Sequence, residues 1–110
     1  MGPVFVESEV DRPVEPVRFE RPIFPAELKS VTDCGWANLE YIVGPNGRVE
    51  RGSVGVLRAS HPEFGLAAGQ AILRSLFKPA RRRGDPVHQR VVQRVVFQRP
   101  GAKAKYPCTG

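Results

Sequence analysis

Polar and apolar residues alternate most clearly between Gly35 and Val43. Ala37, Leu39, Tyr41 and Val43 fall on one side of an extended chain and Asn38 and Glu40 on the other, the period of a half-buried strand. The strand is followed by Gly44-Pro45-Asn46-Gly47, in which Pro45 pre-sets φ for a turn and Asn46-Gly47 supplies residues that tolerate φ > 0. A second apolar run extends to Leu57, with Val54 and Val56 on one face. Gly52 and Gly55 interrupt it, and Gly52 is the expected place of a bulge. The pattern predicts a hairpin.

Further along, the period changes from two to that of a helix. Ser60-His-Pro-Glu63 has the S-x-x-E form of a capping box with Pro62 at an early helical position. Phe64, Ala67, Ala68, Ala71, Ile72 and Ser75 then give one apolar or small face, and Pro79 is the expected stop. Gly65 and Gly69 each cost such a helix about 1 kcal/mol relative to alanine, so it needs a sheet to hold it. A shorter helix of one or two turns is predicted over residues 24–30, with Pro25 at its first position. After a basic turn, Arg81-Arg-Arg-Gly-Asp-Pro86, a third strand rich in β-branched residues covers residues 87–97. Val87, Val91, Val95 and Phe97 share one face and Val92 and Val96 the other, a pattern that predicts partial cover on both sides. If the long helix runs back along the sheet, the third strand has the first as its only antiparallel neighbour. The order is then 2-1-3, and the third strand is an edge with free N–H and C=O groups.

The prolines at 3, 13, 16, 22 and 25 exclude helix from the first 25 residues and favour extended chain. Within it Val4, Val6 and Val10 alternate with Glu7 and Glu9, as a short edge strand or a solvated arm. Residues 1–20 are therefore read as an extended N-terminal arm or spacer end, 21–98 as the domain and 99–110 as a C-terminal tail.

A chain of 110 residues and 12.2 kDa makes one domain, too small for a large enclosed active site. Its net charge of +6 is unevenly placed: nine of the eleven Asp/Glu lie in residues 1–50 and twelve of the seventeen Lys/Arg in residues 51–110. That balance permits nucleic acid, a membrane surface or acidic partners and selects none of them. No apolar run approaches the ~18 residues of a membrane span, and the N-terminus lacks a basic-then-apolar signal pattern, although Met1-Gly2-Pro3 leaves room for an anchor upstream. Cys34 and Cys108 allow either one disulfide, valued at roughly 4 kcal/mol by chain entropy, or two free thiols. His61 and His88 are isolated. No Ser/His/Asp or Cys/His set converges, and the cysteines and histidines lack metal-ligand spacing, so neither catalysis nor a cofactor is expected.

The succession Phe24-Pro25-x-x-Leu28, Gly35-(strand)-Pro45-Asn46-Gly47-Arg48-Val49, Phe64, Phe77-Lys78-Pro79-Ala80, Gly84-x-Pro86-Val87 and Val96-Phe97 resembles the C-terminal domain of the TonB energy transducers over roughly residues 21–98. The resemblance implies an α+β fold of two helices packed on a three-stranded antiparallel sheet. It also implies a periplasmic domain tethered through a proline-rich spacer to an inner-membrane helix, where ExbB/ExbD-type motor proteins act. By the same resemblance the domain binds the TonB box, a short peptide of outer-membrane transporters, as a strand added beside its third strand, and force transmitted through it opens the transporter. Carried over by position, the peptide-binding edge is Val87, His88, Gln89, Arg90, Val91, Val92, Gln93, Arg94, Val95, Val96 and Phe97, with Arg21, Pro22, Ile23 and Phe24 beside it. The segment before the aromatic-Pro pair is Arg21-Pro22-Ile23 here, where well-known members are glutamine-rich. Ser75 stands where many have tryptophan, and Gly65 where many have an acid.

Two other readings start from the residues. Arg81, Arg82, Arg83, Arg90, Arg94, Lys103 and Lys105 are numerous enough to track phosphates, although no nucleic-acid motif accompanies them. An edge strand also invites self-association. The Val4 to Val10 arm can occupy it in cis or from a second copy, as a built-in competitor for a partner peptide.

Overall fold

The computed structural model describes residues 2–101. In chain order the elements are β1 (Val4–Phe5), β2 (Glu15–Arg18), β3 (Cys34–Val43), β4 (Gly55–Ala59), α1 (Pro62–Leu73), β5 (Leu76–Lys78), β6 (Ala80–Arg82) and β7 (Asp85–Gln98). Short 3₁₀ turns occupy Glu7–Glu9, Ala26–Leu28 and Arg51–Ser53.

The frame is an antiparallel trio with β3 at its centre. β7 pairs with it from Cys34↔Gln98 to Val43↔Gln89, and β4 lies on its other side from Glu40↔Gly55 to Ala37↔Ala59. The trio has the expected 2-1-3 order. To it are added β1, parallel to β7, and β6, a short antiparallel partner of β7; β2 and β5 form a separate antiparallel pair. The fold is α+β with one helix and a mixed sheet of several strands, in place of two helices on three strands.

The inner face of β3 carries Ala37, Leu39, Tyr41 and Val43, all buried as the alternation requires, and α1 packs across β3 and β4 on that side. Phe64, Ala68 and Ile72 bring the helix into the same core as Phe24, Leu28, Val95 and Phe97. At Gly65 the helix comes so near β4 that an added Cβ would lie 2.9 Å from Val56 Cγ1. Burial of the helix face thus offsets its two glycines.

The turn forms where expected, but only Gly47 takes φ > 0 and Asn46 does not. Gly47 N–H donates to Gly44 O (2.9 Å) and Gly47 has φ +80, a left-handed conformation that glycine adopts without a Cβ penalty. Val43 and Val49 form an isolated bridge, and the chain passes through the turn at Arg51–Ser53 before β4 begins. The register shift in this pair lies between Asn38 and Leu39, opposite Val56 and Arg58, so Leu57 is the extra residue and Gly52 is not.

Four further expectations are corrected. The helix over residues 24–30 is only the 3₁₀ turn Ala26–Leu28; Pro25 is extended, and Thr32 must reverse the chain into β3 within a few residues, leaving no room for a costly helical nucleus. Ser60 does not cap α1, whose N-cap is His61 with no side-chain cap. Its hydroxyl accepts the Trp36 N–H (3.0 Å) and donates to Trp36 O (3.3 Å) across the sheet. The helix ends at Leu73, six residues before Pro79, because Phe77 leaves it as part of β5 to be buried. Ser75 Oγ donates to Ala71 O (2.9 Å) and accepts Glu20 N–H (3.0 Å), so the arm is tied to the end of the helix. Finally, Val92 and Val96 are exposed, because α1 covers only the opposite face.

Candidate functional site: the outer edge of β7

β7 is the longest strand, and its outer edge is used unevenly. At its start Val87 pairs with Ala80 of β6, in a hairpin turned by Arg83 (φ 54) and Gly84 (φ 85). His88 and Gln89 receive β1 in parallel, as Val4↔His88 and Phe5↔Gln89. From residue 90 to residue 97 no described strand pairs with the side of β7 away from β3. Along that row the backbone donors and acceptors have no described strand partner, as on a sheet edge.

The arm stops short of this stretch for a local reason. Immediately after β1 the chain folds into the 3₁₀ turn Glu7–Glu9, where Glu9 Oε1 accepts Val6 N–H (2.9 Å) and pulls the arm off the line of β7. It is then fastened elsewhere. Asp11 and Arg12 N–H both donate to Arg81 O (2.9 and 3.1 Å), Arg81 N–H donates to Arg12 O (2.9 Å), and the Asp11 carboxylate accepts Arg83 N–H. Arg82 lies 4.5 Å from the Phe5 ring centre and donates from Nη1 to Glu9 O (3.3 Å). β2 then pairs with β5, with Pro16 at a register shift where a missing N–H is tolerated.

A groove adjoins each end of the open stretch. One, of about 530 Å³, lies where Gln89, Val91 and Gln93 meet the arm residues Val6, Val14, Pro16 and Phe19, with Tyr41 and Phe77 also in its wall. The other, of about 460 Å³, is lined by Arg21, Pro22 and Phe24 together with Val96 and Phe97. The structure therefore brings three of the four residues expected beside the edge into a common groove with the end of β7. Ile23 is not part of its wall and is highly exposed.

On the inner face Tyr41 Oη donates to Gln93 Oε1 (2.6 Å), and burial pushes the Tyr41 hydroxyl up to about 12 from 10.0. Gln89, almost fully buried, accepts Val14 N–H on Oε1 (2.9 Å). On the outer face Arg90 pairs with Glu40 and Arg94 lies 4.4 Å from the Trp36 ring centre. His88 Nε2 lies 3.4 Å from Glu50 Oε1. Arg81 donates from Nη1 to Gly84 O (2.9 Å), so most of the basic stretch is engaged within the fold rather than aligned as a phosphate track. Lys103 and Lys105 lie outside the described residues, and no group of three or more potential metal ligands occurs among those described. Cys34 is not free; Cys108, with which a disulfide was one of two alternatives, lies outside the described residues.

The residues missed from sequence are the arm's contributions, Val6, Val14, Pro16 and Phe19, and the groove residues Tyr41 and Phe77. The alternation of Val4 and Val6 pointed to the arm, but the proline-rich stretch after it carries no periodic signal.

The molecule is a small α+β domain whose longest strand is incompletely paired on its outer side among the described residues. The chain matches the family described as Gram-negative bacterial TonB protein C-terminal over residues 20–98 and belongs to that family. Its fold is similar to the solution NMR structure of the Pseudomonas aeruginosa TonB C-terminal domain, with a TM-score of 0.67 and 19% sequence identity, over 84% of this chain and 93% of that one. No curated protein sequence gives a significant match.

Proposed function

We propose that this chain is the periplasmic, non-enzymatic interaction domain of a TonB-type energy transducer. It accepts the TonB box of an outer-membrane transporter as a strand beside residues 90–97 of β7, and it passes on force from an ExbB/ExbD-type motor through an anchor upstream. The observation that carries this reading is the stretch of β7 left without a strand partner on its outer side, with a groove at each end, in a chain of the TonB C-terminal family. Strand addition draws affinity from backbone hydrogen bonds and tolerates varied side chains, as a domain serving several transporters requires. A ladder pulled along its length also loads its hydrogen bonds together, which suits force transmission. Residues 21–24 flank the far end of the added strand, and residues 21–98 form the domain, with an arm before it and a tail after.

Calorimetric titration with a synthetic TonB-box peptide tests this. Binding is expected, and methylation of the peptide's backbone nitrogens at alternate positions is expected to abolish it in one of the two alternation frames and spare it in the other. Equal binding by both methylated peptides would contradict strand addition.

A further inference from the structure

The larger groove follows the open edge, where residues 89–93 all line it, and continues onto the inner face of the sheet at Tyr41 and Phe77. Along β7, Gln89, Val91 and Gln93 share the side of Val95 and Phe97, which turns to the core. A strand added beside residues 90–97 alternates its side chains as β7 does, so every second one projects over this inner face. There it meets Val91 and Phe77 from the domain and Val6, Val14, Pro16 and Phe19 from the arm.

Most polar side chains in that wall are already committed, Arg90 to Glu40 among them, while Glu7 adds a carboxylate from the arm. The Tyr41 hydroxyl donates to Gln93, and Gln89 Oε1 takes the Val14 N–H. A ligand side chain entering the groove is offered chiefly apolar surface, within a volume of about 530 Å³. The occupant is an extended strand because such a strand already sits on the same edge: β1 runs parallel to β7 up to Phe5↔Gln89 and then turns aside, leaving its line vacant from residue 90 onward.

We infer that the N-terminal arm, residues 6–19, completes a pocket for an apolar anchor side chain of the strand-added peptide, and so helps to set which peptides bind. The inference rests on the strand-addition reading. Its distinctive content is that selectivity resides in a segment preceding the family-matched residues 20–98. The arm is fixed for this role by its bonds to Arg81 and Arg83, by the β2–β5 pair and by the Glu20–Ser75 bond. Two members sharing the domain but differing in the arm would then prefer different anchors on the same backbone ladder.

The test uses the full chain, a synthetic TonB-box peptide, and a panel in which each apolar peptide residue is replaced singly by alanine. On the wild-type chain, burial of one large apolar side chain predicts roughly a ten-fold or greater loss for alanine at the anchor position. Val6→Trp, at a half-exposed position on the groove wall, fills the pocket without disturbing the core. It should weaken the parent peptide by a similar factor while leaving the anchor-to-alanine peptide unaffected, so that the two changes are not additive. Phe19→Ala, its fold checked by amide spectra, should flatten the preference for the anchor. If the parent peptide shifts the amides of residues 90–97 and yet binds both variants as tightly as wild type, the pocket is not used and strand addition stands. If it shifts none of these amides on the wild-type chain, both ideas fail.

Discussion

Gly35 lies on the inner face of β3, opposite Phe97, and a Cβ built there would sit 2.0, 2.4 and 2.4 Å from Phe64 Cε2, Cδ2 and Cζ. Ordinary carbon contacts are ~3.5–4.0 Å, so in Gly35→Ala the Phe64 ring must retreat by roughly 1.5 Å. It has little space in which to do so: Phe64 is fully buried, with the Phe24 ring 5.4 Å away edge-on, the Phe97 ring at 4.7 Å and the His61 ring at 5.8 Å between centroids. Overpacking of this kind costs about 1–3 kcal/mol, and a site closed on several sides belongs at the upper end. At ~3 kcal/mol a domain of this size loses roughly 12–20 °C in Tm. Thermal unfolding followed by circular dichroism measures it, with Gly52→Ala as the control, because nothing lies within 4 Å of a Cβ there. Combining Gly35→Ala with Phe64→Leu should recover part of the loss. A Gly35→Ala chain within about 0.5 kcal/mol of wild type, the range of an indifferent surface change, would refute the packing argument.

Two other predictions concern side chains at the junction of arm, helix and sheet. The Tyr41 hydroxyl, held protonated in the fold up to about 12 but ionising at 10.0 when unfolded, leaves stability unchanged below pH 10 and lowers it as the pH rises from 10 to 12. The loss is on the order of 3 kcal/mol and should be absent in Tyr41→Phe, as alkaline urea titrations of the two chains would reveal. Ser75→Ala removes the group joining Ala71 O to Glu20 N–H, and with Ser75 at 2% exposure the cost should be about 1–3 kcal/mol. Hydrogen exchange should show faster opening of residues 15–20 in that variant, whereas unchanged exchange would mean the arm is held by other contacts.

The antiparallel trio was legible because its first and third strands announce themselves locally and a turn leads from the first to the second. Ala37, Leu39, Tyr41 and Val43 alternate, Asn46-Gly47 turns, and β7 has valines on both faces. The third strand's two-sided apolar pattern was misleading, since Val92 and Val96 face outward and no described element covers them. Phe24-Pro25 resembled a helix start, but Leu28 is buried from a single 3₁₀ turn, and no periodicity over so few residues separates the two outcomes. The arm was harder for a different reason. Val4–Phe5 and Glu15–Arg18 become strands only through β7 and β5, some sixty to eighty residues away, and their prolines read locally as spacer. Ser60 shows the same limit: its S-x-x-E context promised a cap, while the hydroxyl is used by Trp36 on the neighbouring strand. The edge expected from topology, Val87 to Phe97, is open only from residue 90, because Val87 is paired with β6 and His88 and Gln89 with β1. The groove beside it could not be placed from topology, because much of its wall comes from the arm.

Strand addition beside residues 90–97 of β7 has a direct spectroscopic signature. Backbone amide shifts of the isotope-labelled chain, titrated with a TonB-box peptide at two salt concentrations, test it most directly. The account predicts shifts concentrated on residues 90–97 and on residues 21–24, little changed by salt because backbone hydrogen bonds carry the affinity. An unmoved edge, with salt-sensitive shifts confined to Arg81, Arg82 and Arg83 on adding an oligonucleotide, would contradict it.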